Sequence, residues 1–551
     1  MAPLTGSDIL AKSLVSQGMD TLFYIMGGPM IETEAAIIKL GARAIDTRHE
    51  QAASLMAHAY SRITRKPGVC MGASGPGATN LVTGVANAFV DAAPLIAVGG
   101  SSPRVSLEME AFQEIDQLAV FKPITKWATR IYDAKRIPEL VATAYRQATT
   151  GKPGPVYIDM PGDVLGETVD ESTITYPKPW APAPRSHGDP SAITEAIALL
   201  AQAERPLILG GSGVWWSDAA AAFQAFVEAT GIPFYTTPIS RGTVPEDHEL
   251  AFLNARAKAF SEADVLLRRR HPLQLRDPVR PSAAVCRRRE GHPRRREPDR
   301  AQSQSPGRRA DRRRRARRAR AAHPGGAAAR STRTAMRAGC RSSKVLDAEK
   351  ASEMDKQMSS EDTPIHPLRL CKEVRDFVKR DAILVVDGQE ILNYGRQSIP
   401  TYVPGHRLNS GAFGCMGVGL PFGVGAKVAK PNTQVVVLHG DGSFGINAME
   451  IDTAVRHKIP VLCVISNNGG WTADPKQDKP GRNLGYSRYD KMAQDFGAHG
   501  EYVEKPHEIR PALERAAASG QAGGRQRDHR LQGARVDDSL LGVLDLIGMG
   551  A

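Results

Sequence analysis

Cysteine is scarce in this sequence, and none of it is paired. Cys70, Cys286, Cys340, Cys371, Cys415 and Cys463 are scattered over 551 positions without a CxxC spacing. That argues against a disulfide framework or a thiolate zinc site and fits a reducing, cytoplasmic compartment. Long apolar runs are missing too. Nothing approaches the about 18 uncharged residues that span a bilayer, so no membrane partner is expected. The opening MAPLTGSDILAKSLVSQG lacks a basic n-region and a long apolar segment, and export is not expected either. What is present is ordinary globular chemistry, 41% hydrophobic and 24% charged, in a chain long enough for about two to four domains.

Lysine disappears from one stretch altogether. Between Arg268 and Arg341 there are 25 Arg, no Lys and five acidic residues. The formal charge of +13 therefore resolves into a run near +20 and a remainder near about −7. Such a run can be a phosphate-neutralising arm or a solvated linker. A third reading fits better. Arg, Pro, Ala and Gly without Lys look like GC-rich coding sequence translated out of frame. The run begins abruptly after SEADVLL, where a buried strand should continue, and helical patterning returns by VLDAEKASEMDKQM. A nucleic-acid partner is not expected. The tail after Ser519 breaks off in the same manner.

Elsewhere strand-like and helix-like segments alternate. TLFYIMG, VCMGAS, LIAVGG and VYIDMP are apolar runs separated by amphipathic stretches such as EQAASLMAHAYSRI. This predicts a parallel sheet with helices on both faces. The Pro-rich YPKPWAPAPRSHGDP reads as an interdomain linker. RPLILGGSGVW opens a second α/β unit, and AILVVDG, QVVVLHGDG and PVLCVISNN belong to a third. The expected class is α/β, with three consecutive doubly wound parallel-sheet domains. Their spans are 1–165, 191–345 (disrupted over 268–341) and 365–519, with a linker at 166–190 and an anomalous tail at 520–551.

The chemistry concentrates where apolar strands end in polar turns. Asp441 follows QVVVL in HGDGSFG, and Asn468 comes 27 residues later in VISNNGGW. A carboxylate and an amide oxygen at neighbouring strand ends suit Mg²⁺, a hard cation that shares its shell with phosphates. The glycines let backbone N–H groups and a helix N-terminus approach a diphosphate.

GDG followed by NN at this interval resembles the signature of the thiamine-diphosphate enzymes, the group that includes acetolactate synthase, benzaldehyde lyase, oxalyl-CoA decarboxylase and 2-hydroxyacyl-CoA lyase. The resemblance covers roughly residues 4–265 and 365–519. It implies a pyrimidine-binding first domain, a middle domain and a diphosphate-binding third. It implies Mg²⁺ on Asp441, Asn468 and the Gly470 carbonyl, with Gly440, Gly442 and Ser443 against the diphosphate. Gly388 and Gln389 of VVDGQE match further diphosphate-side positions. Gly414 would offer its carbonyl to the cofactor's amino group, and Met416 would wedge between its two rings. DTRHEQAAS places Glu50 as the catalytic carboxyl that activates the aminopyrimidine and thereby promotes loss of the thiazolium C2 proton. ASGPGATN supplies the cofactor-facing turn, with Gly75, Pro76 and Asn80.

For the reaction pocket the resemblance points to Phe112, Gln113 and Glu114, faced by the turn Met26, Gly27 and Gly28. Gln113 is the second candidate catalytic residue, because its amide can steer a carbonyl or hydroxyl. GGSSPRVSLEMEAFQE, DGQEILNYGR and PGHRLNSGAFGCMGVGL favour the 2-hydroxyacyl-CoA lyase and oxalyl-CoA decarboxylase branch. The expected activity is thus a thiamine-diphosphate- and Mg²⁺-dependent C–C lyase or carboligase acting on an acyl-CoA or 2-oxo acid. The alternatives are an acetolactate-synthase-type carboligase acting on pyruvate, and a frame-damaged product keeping only part of the cofactor site. ADP or FAD is expected in the middle domain according to the branch. A homodimer or homotetramer with shared active sites is implied.

Overall fold

The computed structural model describes residues 3–181, 187–269, 284–287, 344–471, 480–520 and 542–547. Most of the Arg-rich run and most of the tail, and with them the out-of-frame reading, lie outside the described residues.

The first domain holds β1 (Leu4–Thr5), β2 (Thr21–Tyr24), β3 (Arg43–Asp46), β4 (Gly68–Gly72), β5 (Leu95–Ser101), β6 (Trp127–Arg130), β7 (Pro155–Pro161) and β8 (Thr168–Val169). Six of these form one sheet in the order β3-β2-β4-β5-β7-β6, every pair parallel, while β1 and β8 make a small antiparallel ribbon. The alternation of side chains along a strand explains why the runs are apolar throughout. Val69, Met71, Ile96, Val98, Val156 and Ile158 face one core. Cys70, Leu95, Ala97 and Tyr157 face the other.

The middle domain contains β9 (Pro206–Gly210), β10 (Phe234–Thr236), β11 (Val265–Arg269) and β12 (Ala284–Arg287), ordered β10-β9-β11-β12. Its first two pairings are parallel as expected. The third is not: β12, drawn from the Arg-rich run, lies antiparallel to β11. A helix over 344–358 resumes the chain where helical patterning was expected to return.

The third domain comprises β13 (Ile383–Asp387), β14 (Arg407–Leu408), β15 (Val435–Gly440), β16 (Leu462–Asn467), β17 (His499–Val503) and β18 (Gly542–Ile547). They form a wholly parallel sheet ordered β14-β13-β15-β16-β18-β17. Within the tail, GVLDLI supplies β18 between β16 and β17. The first and third domains share one apolar core. Helix Glu50–Thr64 lies against helix Gly419–Ala429, and Met56, Ala59 and Ile63 pack in the same cluster as Phe422, Val424 and Ala426.

Candidate functional site

Strands β13, β15 and β16 run parallel, so the turns at their carboxyl ends meet along one edge of the third sheet. A narrow cleft lies there. Its lining brings together Gly388, Gln389, Met416, Gly440, Asp441, Gly442, Ser443, Asn468 and Gly470, nine residues separated by up to 82 positions in the chain. The backbone explains the glycines. Gly388 sits at φ +115°, a region closed to most side chains, and its N–H donates to Asp387 Oδ1 at 2.8 Å. Asp387 Oδ2 accepts from Gly419 N at 2.8 Å, tying this turn to the helix that begins there. A Cβ on Gly442 would press into the Trp471 ring. Ser443 donates its hydroxyl to Gly440 O at 2.9 Å.

Asp441 opens the helix Asp441–Ile446 and is buried. Burial pushes its carboxyl up to about 6, while the amides of Gly442, Gly469 and Gly470 pull the other way. Its Oδ2 is enclosed and has no hydrogen-bond partner. An orphaned buried carboxylate oxygen is costly, and a divalent cation is the partner that would relieve it. Asn468, Gly470 and Asp441 line the same cleft, so the donor set is one carboxylate, one amide and one backbone carbonyl. All three offer oxygens, which fits Mg²⁺. Among the described residues there is no cluster of three His, Cys, Asp or Glu side chains that would favour a softer metal instead.

The first domain presents its own turn. Glu50 begins the helix Glu50–Thr64, is 9% exposed, and accepts from Asn80 Nδ2 at 2.9 Å. Gly75 (φ +57°) and Pro76 start the short helix carrying Asn80. A Cβ on Gly77 would stand 3.0 Å from the Ala73 Cβ, so glycine lets this helix lie close against the end of the turn before it. Met26, Gly27 and Gly28 follow β2, and Met26 is exposed. Phe112 is 88% exposed, and Gln113 adopts φ +60° with its backbone filling the space beside Gly75. Glu114 closes its own loop, accepting from Glu108 N at 2.6 Å and Ala111 N at 2.9 Å, bonds that hold its carboxyl below the usual range. None of these first-domain residues lines the diphosphate-side cleft, and neither does Gly414.

Sequence reading missed three residues that hold these turns. Gln117, 1% exposed, accepts from Gly75 N at 2.6 Å and donates to Gly100 O, Tyr157 Oη and Asp159 Oδ1. It locks the cofactor-facing turn to β5 and β7. Glu450 reaches across from the third domain to Arg48 N at 3.1 Å, two residues before Glu50. Glu390 accepts from Asn468 Nδ2 at 2.7 Å inside the cleft. Gln117 comes three positions after Glu114, Glu450 seven after Ser443, and Glu390 directly follows Gln389 in VVDGQE, but only the fold shows whom they touch.

Two parallel-sheet domains, each ending in a glycine-rich turn at its carboxyl edge, define a class: an α/β protein whose ligand-facing turns lie at the strand ends. Three matches make the class particular. The chain agrees with the thiamine pyrophosphate enzyme N-terminal TPP binding domain over residues 4–120, the central domain over 193–268 and the C-terminal TPP binding domain over 392–523. It is 35% identical over 543 residues to a probable acetolactate synthase of Mycobacterium bovis, with 93% of each chain covered. It is 32% identical over 535 residues to an oxalyl-CoA decarboxylase of Escherichia coli, covering 92% of each. With 2-hydroxyacyl-CoA lyase 1 of Mus musculus it shares 30% over 543 residues, 93% of this chain and 92% of the relative. The chain belongs to the thiamine pyrophosphate enzyme family and is a thiamine-diphosphate-dependent enzyme. The central-domain match ends at Arg268, the first arginine of the Lys-free run.

Proposed function

We propose that this enzyme uses thiamine diphosphate with Mg²⁺ to break or form a C–C bond next to a carbonyl, and that its substrate is an acyl-CoA of the oxalyl or 2-hydroxyacyl type. The observation that carries the metal part is the enclosed, unpartnered Asp441 Oδ2 in one cleft with Asn468 and Gly470. The bound cofactor supplies an electron sink for the pair left when the bond breaks. The chain's residues do the rest. The amides around Gly388, Gly440 and Gly442 orient the diphosphate, and Met416 supports the bend between the rings. Glu50, held by Asn80, exchanges a proton with the aminopyrimidine. Gln113 steers the substrate oxygen.

The acyl-CoA branch rests on the GGSSPRVSLEMEAFQE and DGQEILNYGR segments. A second reading, acetolactate-type carboligation of pyruvate, draws on the 35% identity to a protein of that name. Separate assays with oxalyl-CoA, a 2-hydroxyacyl-CoA and pyruvate, each with thiamine diphosphate and Mg²⁺, distinguish them. Formyl-CoA from a CoA substrate is expected, and acetolactate from pyruvate with no CoA turnover would sink the branch. No turnover of any of them, with no cofactor uptake by calorimetry, is the signature of a damaged product.

Two supporting readings follow. A larger cleft between the middle and third domains, lined by Tyr235, Arg241, Arg256, Phe260 and Arg396, suits an anionic aromatic ligand such as ADP or FAD. Arg256 lies over both the Tyr235 and Phe260 rings. The active site is read as shared in a homodimer or homotetramer. Glu50 stands outside the diphosphate-side cleft of its own chain, and apolar side chains are left exposed beside each half: Met26, Met109 and Phe112 on one, Phe413 and Met449 on the other. A cytoplasmic location rests on the scattered cysteines, four of which are free thiols.

A further inference from the structure

The diphosphate-side cleft holds a carboxylate that its ligand should not welcome. Glu390 follows β13 as the first residue of helix Glu390–Ser398 and lines the same cleft as Asp441 and Gly388. A second negative side chain beside a bound diphosphate is repulsive unless it does something else. What it does is visible in its hydrogen bond: Oε2 accepts from Asn468 Nδ2 at 2.7 Å. We propose that Glu390 is a positioning residue that sets the orientation of the Asn468 amide, so that Oδ1 and not the NH₂ faces the metal. This rests on the reading that Asp441, Asn468 and Gly470 hold Mg²⁺.

Hydrogen-bond direction decides which way the amide lies. An asparagine amide has nearly the same shape with its oxygen and nitrogen exchanged, so packing alone does not choose between the two. Partners choose. An ionised carboxylate only accepts, so the end of Asn468 that meets Glu390 must be the NH₂. On the other side, Asn468 Oδ1 accepts from Gly470 N at 3.2 Å. Gly470 also pulls the Asp441 carboxyl down, so this backbone lies on the Asp441 side of the amide. The bond from Gly470 N therefore turns Oδ1 that way, while the NH₂ is left for Glu390. Were the amide reversed, an NH₂ would face both an N–H and the cation. That arrangement would repel the metal and leave Glu390 without a donor.

The test is calorimetric titration of Mg²⁺ into the full chain with thiamine diphosphate at fixed concentration, a readout independent of turnover. Glu390→Met keeps the bulk and helix propensity of the side chain but cannot accept. It should raise the Kd for Mg²⁺ by about tenfold to a hundredfold, the usual effect of losing a group that orients a metal ligand. Glu390→Gln can still accept through its Oε1 and should stay within about threefold of the parent. Unchanged or tighter binding in Glu390→Met would overturn the proposal by showing a group that merely repels the diphosphate. Equal losses in Glu390→Met and Glu390→Gln would overturn it too, because charge and not acceptance would then be what matters. Asp441→Ala separates the underlying reading. If it binds Mg²⁺ as the parent does, the metal assignment itself fails, whatever the Glu390 variants show.

Discussion

A carboxyl sealed between two domains carries a measurable pH signature. Glu450 is 1% exposed and accepts from Arg48 N and from the Thr453 hydroxyl. Burial outweighs those bonds and pushes its pKa from 4.5 up to about 7. The folded state therefore holds this proton more tightly than the unfolded chain does. The stability it contributes is full below about 4.5 and is lost as pH rises through about 7. The amount is of the order of 3 kcal/mol. Glu450→Gln keeps the shape and an acceptor without the charge, so its melting temperature relative to the parent should climb between pH 5 and pH 8. A difference that stays flat over that range would mean Glu450 does not titrate as described. Glu50→Gln tests the other carboxyl at this junction. Cofactor binding should survive, but exchange of the C2 hydrogen of bound thiamine diphosphate should slow by orders of magnitude, since an amide does not relay the proton. Exchange at the parent rate, followed by NMR in deuterated solvent, would remove Glu50 from that role.

At the scale of elements, one helix crossing joins the two cofactor-binding domains. Gly425 lies where helix Gly419–Ala429 meets helix Glu50–Thr64, and a Cβ there would overlap the Met56 carbonyl oxygen. Backbone cannot move aside as a flexible side chain can. Gly425→Ala should therefore cost about 1–3 kcal/mol despite the higher helix propensity of alanine. The check is the denaturation midpoint, and a stabilised variant would contradict the close crossing. Because this helix starts at Glu50, a shifted crossing should also reduce activity in the folded variant. The strands behind these turns were legible as apolar runs because both faces of a parallel sheet are buried. The antiparallel β12 and the inserted β18 were not, since neither their periodicity nor their composition announces a partner.

The whole molecule raises the question of how two half-sites meet. If Glu50 of one copy completes the cleft of another, mixing Glu50→Gln protein with Asp441→Ala protein should restore partial activity. Heterodimers would hold one intact and one doubly damaged site. With both residues serving one site in the same chain, every site in the mixture stays defective. No recovery after subunit exchange has been demonstrated by mass spectrometry would count against the shared site.

The sequence alone determined the three-domain α/β plan, the family and the residue types at each strand end. These are local facts: apolar runs, glycine-rich turns and the interval between Asp441 and Asn468 are written in consecutive residues. Tertiary structure alone decided who touches whom. It assembled Gly388, Met416, Asp441 and Asn468 along one sheet edge. It spent Glu114 on its own loop, and it brought Gln117 to Gly75, Glu450 to Arg48 and Glu390 to Asn468. The physical reason is that a hydrogen bond reaches only about 3 Å, whereas these partners lie between 6 and 402 positions apart in the chain. Only the order of strands in the sheets brings such distances together.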